Sequence, residues 1–162
     1  MTSGPSAQDD REAIERTITL YSHLVDFGRY DEWGDLFTED AEAATVGGIQ
    51  VWGDGSPQRT PRGRQAIVDF VRGNVEPMRE KGVHLMHMPG KPVIELDGDS
   101  ARAWWTYVVV ATTADSISVA ATGRYHTELV RGSDGRWRFR TRTCVETGGP
   151  LPDGALREPP GR

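Results

Sequence analysis

The hydrophobic period of this chain changes once, near residue 84, and that single change restricts the folds open to it. Before it, apolar residues recur at helical spacing. Ile14, Ile18, Tyr21 and Val25 stand four, three and four residues apart, one stripe of an amphipathic helix. Asp9 or Asp10 is the expected cap at its start, and Gly28 the expected stop. A short second helix follows, capped by Asp31, with Trp33, Leu36 and Phe37 on its buried side. Ala41 to Val46 reads as a strand. Gly47 to Gly63 holds five glycines and two prolines and reads as a loop or hairpin region, with a short strand at Ile49 to Trp52. A third helix is expected from Arg64 to Asn74, with Ile67, Phe70 and Val71 on one face and Pro77 ending or kinking it.

After residue 84 the period is two. Pro92 to Leu96 is a strand, Asp97-Gly98-Asp99 a hairpin turn, and Ala101 to Thr113 a second strand. Ile117, Val119, Ala121, Tyr125 and Leu129 mark a third. Ser133-Asp134-Gly135 turns the chain into a last strand, where Trp137, Phe139 and Thr141 alternate with Arg138, Arg140 and Arg142. Helices followed by an antiparallel meander make an α+β order rather than βαβ units. The 162 residues suit one domain: a flexible N-terminus over 1–8, a folded unit over 9–147, and a tail over 148–162 with four prolines and four glycines, expected to be a mobile arm.

Composition removes several function classes. Apolar residues make up 36% and charged residues 27% of the chain, the balance of a globular protein rather than a disordered one. The longest apolar run, Tyr107 to Ala111, is far too short for a membrane helix, and the polar N-terminus lacks the pattern of a secretory signal, so a cytoplasmic protein is expected. Cys144 is the single cysteine, which forbids an internal disulfide and a cysteine-based zinc site. A net charge of −5 argues against nucleic-acid binding. Arg138, Arg140 and Arg142 are read as a solvated outer sheet face paired with acidic residues. His84 and His87, three apart in an extended segment, point to opposite faces and make a poor metal pair. His23 and His126 are assigned to solvent or an interface. Trp104, Trp105 and Tyr107 make the strand from Ala101 apolar on both faces, which favours a homodimer.

Four groups of residues in this order resemble the nuclear transport factor 2-like superfamily, in its SnoaL-like, scytalone-dehydratase-like branch. They are Tyr21-Ser22-His23-Leu24-Val25-Asp26 followed by Asp31-Glu32-Trp33 and Leu36 to Ala41; Gly63 to Ile67; His87 to Ile94 followed by Glu95 to Ala101; and Gly123-Arg124-Tyr125-His126 followed by Asp134 to Phe139. The resemblance spans residues 10 to 145. It implies a cone: N-terminal helices packed on a strongly curved antiparallel sheet that encloses a pocket. It also implies, by position, that Tyr21, Asp26 and His87 share that pocket, as the corresponding residues do in dehydratases of this branch.

That trio has a chemical logic. Elimination of water beside a carbonyl needs a base active near neutral pH, which an imidazole supplies. A carboxylate on the other ring nitrogen fixes the tautomer, and a phenol can donate to the carbonyl or to the departing hydroxyl. No metal or organic cofactor is called for. On an ideal helix Tyr21 and Asp26 lie about 140° apart, so both face one cavity only if the last turn loosens before Gly28. Trp33, Phe37, Trp105, Tyr107 and Tyr125 are the expected lining, suited to a flat, largely apolar substrate. The leading expectation is a cofactor-independent lyase or isomerase acting on a cyclic, polyketide- or steroid-like hydroxy-carbonyl compound. An aldol-type cyclase using the same residues is one alternative; a non-catalytic ligand-binding or dimerisation module is another.

Overall fold

The computed structural model describes residues 6–47, 58–59, 61–147 and 157–161. The expected strand at Ile49 to Trp52 and most of the 148–162 tail lie outside these residues. Helix α1 covers Ala7–Asp26, α2 Tyr30–Gly34 and α3 Arg64–Glu80. The strands are β1 Phe37–Gly47, β2 Gln58–Arg59, β3 His84–Pro89, β4 Val93–Asp97, β5 Ser100–Thr112, β6 Ile117–Arg131 and β7 Trp137–Glu146. No helix among the described residues is long and apolar enough to cross a membrane.

α1 begins earlier than Asp9. Ser6 is its cap, in a reciprocal capping box with Asp9, whose carboxylate accepts from the Ser6 amide at 2.8 Å. That amide, followed by the Ser6 hydroxyl, holds the Asp9 carboxyl below the usual carboxylate range. Asp10 is buried instead: it accepts from Trp137 Nε1 at 3.1 Å and pairs with Arg131 at 2.9 Å, pinning the first turn to the end of β7. Ile14, Ile18, Tyr21 and Val25 are all buried, as the stripe requires. Gly28, at φ +69°, ends the helix in the left-handed conformation that glycine adopts without strain.

α3 runs past Pro77 to Glu80, further than the sequence suggests. The apolar face of Phe70, Val71 and Val75 continues through Met78, which also lines the cavity beneath the helix.

Seven strands form one curved sheet among the described residues, in the order β2-β1-β7-β6-β5-β3, with β4 also pairing with β5. The sheet is mixed rather than purely antiparallel, because β1 and β7 run parallel, Thr45 opposite Cys144. The whole meander separates these two strands, so no hairpin imposes an antiparallel direction on them. The helices close over the concave face. Ile14, Trp33, Phe37, Ile67, Leu129 and Phe139 are fully buried between the layers and leave a cavity toward the other end of the sheet.

β7 contains a bulge. Leu129 pairs with Phe139, but Glu128 pairs with Thr141, so Arg140 is an extra residue on β7. The bulge is held by an ion pair from Arg140 to Glu128 at 3.1 Å and by the Glu128 amide donating to Thr141 Oγ1 at 3.2 Å. Because side chains alternate with period two, one extra residue reverses the phase of everything after it. Trp137 and Phe139 point inward before the bulge; after it Arg142, Cys144 and Val145 are buried, and of these Arg142 and Cys144 line the cavity.

Candidate active site

Asp26 closes α1, at the end of a helix where a carboxylate is electrostatically disfavoured. Its partner explains its presence. β3 is the edge strand beside β5, so every second backbone amide of β3 points away from the sheet. The His87 amide is one of these and donates to Asp26 Oδ2 at 2.7 Å. Asp26 Oδ1 lies 2.5 Å from His87 Nδ1. One carboxylate therefore fixes both the backbone and the ring of a single residue. The pair is largely shielded, with side-chain exposures of 14% for Asp26 and 16% for His87.

His87 lines a cavity of about 590 Å³. Asp26 does not; it stands behind the ring. With Nδ1 engaged, Nε2 is the ring nitrogen left for a ligand in the cavity. α3 supplies one apolar wall through Phe70, Val71, Val75 and Met78. Tyr21, Tyr107, Tyr125, Arg142 and Cys144 form a polar inner end, and Glu146 and Thr147 stand further out along β7. Tyr21 packs edge-on against Phe139 at 5.6 Å and Tyr125 at 5.8 Å between ring centroids. Cys144 Sγ donates to Tyr107 Oη at 3.2 Å. Burial raises the Tyr21, Tyr107 and Tyr125 phenols above their ordinary values, so all three stay protonated at neutral pH and act as neutral hydrogen-bonding groups. Burial likewise raises the Cys144 thiol, which keeps it a thiol.

The sequence-based lining is corrected in part. Tyr107 and Tyr125 line the cavity, as does Tyr21. Trp33, Phe37 and Trp105 are not among its lining residues; they are buried in the core beneath it. Trp33 and Phe37 pack on each other at 4.8 Å, and Trp105 stacks under Tyr125 at 4.9 Å. They are the largest apolar side chains in the inward phase, and the space between helices and sheet needs them as filling.

Arg142 is the group that sequence reasoning assigned to the wrong face. It is 4% exposed, lines the cavity, and sits over the rings of Tyr125 at 5.6 Å and Tyr21 at 5.7 Å. Its Nη1 donates to the Ala44 carbonyl at 3.4 Å, its Nε has no partner, and no carboxylate pairs with it among the described residues. Two cation–π contacts contribute about 1–2 kcal/mol each. Removing an ion from water costs several kcal/mol, so the rings offset part of that cost but supply no opposite charge. Glu146 is not its neutraliser. The two are four residues apart on one strand, about 13 Å at 3.3 Å per residue, and burial alone raises the Glu146 carboxyl.

Among the described residues no three His, Cys, Asp or Glu side chains cluster in a way that would hold a metal ion. His84 and His87 face opposite sides of β3, His84 exposed and His87 inward.

The fold and this cavity place the chain among proteins of known structure. An NTF2-like protein with a cystatin-like fold from Novosphingobium aromaticivorans superposes with a TM-score of 0.72 at 26% identity, over 91% of this chain and 84% of that one. ActVI-ORFA from Streptomyces coelicolor gives 0.70 at 19% identity, over 84% and 93%. A candidate scytalone dehydratase from Novosphingobium aromaticivorans gives 0.67 at 20% identity, over 94% of each chain. The last two likenesses speak for the fold alone. No curated protein matches the sequence significantly. The sequence does match the model of the SnoaL-like domain over residues 6–143, nearly the whole folded unit, and the chain belongs to that family.

Proposed function

We propose that this protein is a cofactor-independent lyase or isomerase of the dehydratase type, acting on a cyclic, polyketide- or steroid-like hydroxy-carbonyl compound. The observation that carries this reading is the Asp26–His87 pair, 2.5 Å apart, with the histidine opening on a partly apolar cavity. A histidine whose one nitrogen is held by a carboxylate and whose other nitrogen faces a binding space is organised for proton transfer.

In this reading His87 Nε2 removes the proton beside the carbonyl, and Asp26 stabilises the imidazolium that forms. The electron pair moves into an enolate, which expels the neighbouring hydroxyl as water. That hydroxyl takes its proton from the imidazolium, and Tyr21 donates a hydrogen bond to the carbonyl oxygen throughout. The products are a conjugated carbonyl and water, with no change of oxidation state, so the balance needs no redox partner. The same reading includes a homodimer. Met86 and Met88 project from β3 on the face away from the cavity, 56% and 54% exposed, and light scattering of the purified protein would read the assembly.

The test of the site is the imidazole tautomer, read from the ring nitrogen shifts by NMR in the wild type and in Asp26→Asn. One imidazole, assigned to His87, is expected to change its tautomer when the carboxylate is removed, and hydroxy-carbonyl compounds can then be screened for dehydration. If every histidine ignores the substitution, the catalytic reading fails and a binding module takes its place.

A further inference from the structure

Arg142 stands out from every other charged group described. The other shielded arginines have an acidic partner, such as Arg131 with Asp10 at 2.9 Å and Arg138 with Asp134 at 2.7 Å. Arg142 is buried at the inner end of the cavity without one among the described residues. A guanidinium has five N–H donors, and here a single carbonyl, at 3.4 Å, takes one of them on Nη1. Nε is fully buried and out of a ligand's reach; Nη2 makes no hydrogen bond among the described residues, and a carboxylate in the cavity can accept a charge-assisted hydrogen bond from it. The surroundings reinforce the fit: Tyr21 and Tyr125 carry no charge to compete, since burial keeps both protonated. Glu146, the acidic residue on the same strand, lies toward the more exposed end.

We propose that Arg142 is an anion receptor, and that the ligand of this cavity is a flat organic acid whose carboxylate pairs with it. The acid group supplies the charge partner that the fold leaves out. Arg142 then acts as an anchor, setting which end of the molecule enters first and which carbon lies beside His87. The substrate class of the proposed elimination narrows accordingly, from any hydroxy-carbonyl compound to one bearing an ionised carboxylate at the end remote from the reacting carbon. The inference takes its cavity and its reacting partner from the proposed function, but its test reads binding rather than turnover, so the two can fail separately.

The probes are 2-naphthoate and its neutral isostere 2-naphthamide, titrated calorimetrically into the full chain at pH 7.5. The naphthoate is expected to bind on the order of thirtyfold or more tightly than the amide, the range seen when a buried charge gains or loses its partner. In Arg142→Met, which replaces a buried unpaired cation by an apolar side chain of similar length and so should still fold, the preference should vanish while the amide still binds. Arg142→Lys should retain part of it. In His87→Ala the preference should persist, which separates anchoring from catalysis. Equal affinity for the two probes in the wild type, no naphthoate binding at millimolar concentration, or a preference that survives Arg142→Met each overturns the proposal. The wild-type comparison decides by itself if a variant does not fold.

Discussion

Asp26 Oδ1 stands 2.5 Å from His87 Nδ1, and Asp26 Oδ2 accepts the His87 backbone amide at 2.7 Å. One carboxylate thus has a structural task and a chemical task, and two substitutions separate them. Asp26→Ala removes both and leaves a shielded amide without an acceptor, a loss of about 1–3 kcal/mol in stability. Asp26→Asn keeps an acceptor for the amide, so it should unfold close to wild type. Its amide nitrogen, however, donates to Nδ1 and moves the ring proton to Nε2, where a base must be vacant. Activity should fall on the order of 10²–10⁴-fold in both. Urea denaturation beside the rate of water elimination checks the split; equal stability of the two variants would remove the structural half.

Trp33 tests the boundary between core and lining. Its ring is fully buried, 5.3 Å from Tyr21 and 4.8 Å from Phe37 between centroids. Trp33→Ala should cost about 3–5 kcal/mol, read as a shift of the denaturation midpoint. The folded fraction should bind cavity ligands with unchanged affinity. A large loss of affinity with little loss of stability would return Trp33 to the lining.

Much of the fold was legible because its signals are local. The stripe from Ile14 to Val25, the stop at Gly28, and the Asp97-Gly98-Asp99 turn depend on neighbours in sequence. The Asp26–His87 pair was legible only through family resemblance, since 61 positions separate the two. The helix geometry that seemed to oppose Tyr21 and Asp26 is resolved by their different targets. Tyr21 reaches the cavity, whereas Asp26 reaches the edge strand and acts through His87. Arg142 was not legible. Its inward direction depends on the bulge at Arg140, which adds one residue to a strand without any mark in composition. Read with strict alternation, Arg138, Arg140 and Arg142 share one face; in the folded chain the bulge sends the third inward. The parallel pairing of β1 with β7 was equally hidden, because nothing near Thr45 points to Cys144.

Gly123 shows how closely β6 and the cavity floor are fitted. A Cβ built there would lie 2.2 Å from the Val145 carbonyl oxygen and 2.8 Å from a Tyr107 ring carbon. The first contact is with backbone and cannot swing away. Gly123→Ala should therefore destabilise the fold by about 1–3 kcal/mol and shift the Tyr107 ring, breaking its contact with Cys144. Thermal unfolding measures the first effect. The rate at which Cys144 reacts with a thiol reagent in the native protein measures the second and should rise. An unchanged melting temperature would mean that the strands part there without penalty.

Glu146 should leave a pH signature in stability. Burial penalises its anion and raises its carboxyl above the ordinary value of 4.5, whereas the unfolded chain keeps that ordinary value. The folded protein thus holds the proton more tightly than the unfolded one. The stabilisation this brings is complete below the unfolded carboxyl's titration and is lost as the pH rises through the folded value. Glu146→Gln removes this dependence by staying neutral throughout. Compared with wild type, the variant should gain urea resistance between pH 4 and pH 8, so that the difference in midpoint is more favourable to it at pH 8. A difference that is the same at both pH values would show that Glu146 ionises as freely in the folded chain as in the unfolded one, and that the outer part of the cavity is open to water at this position.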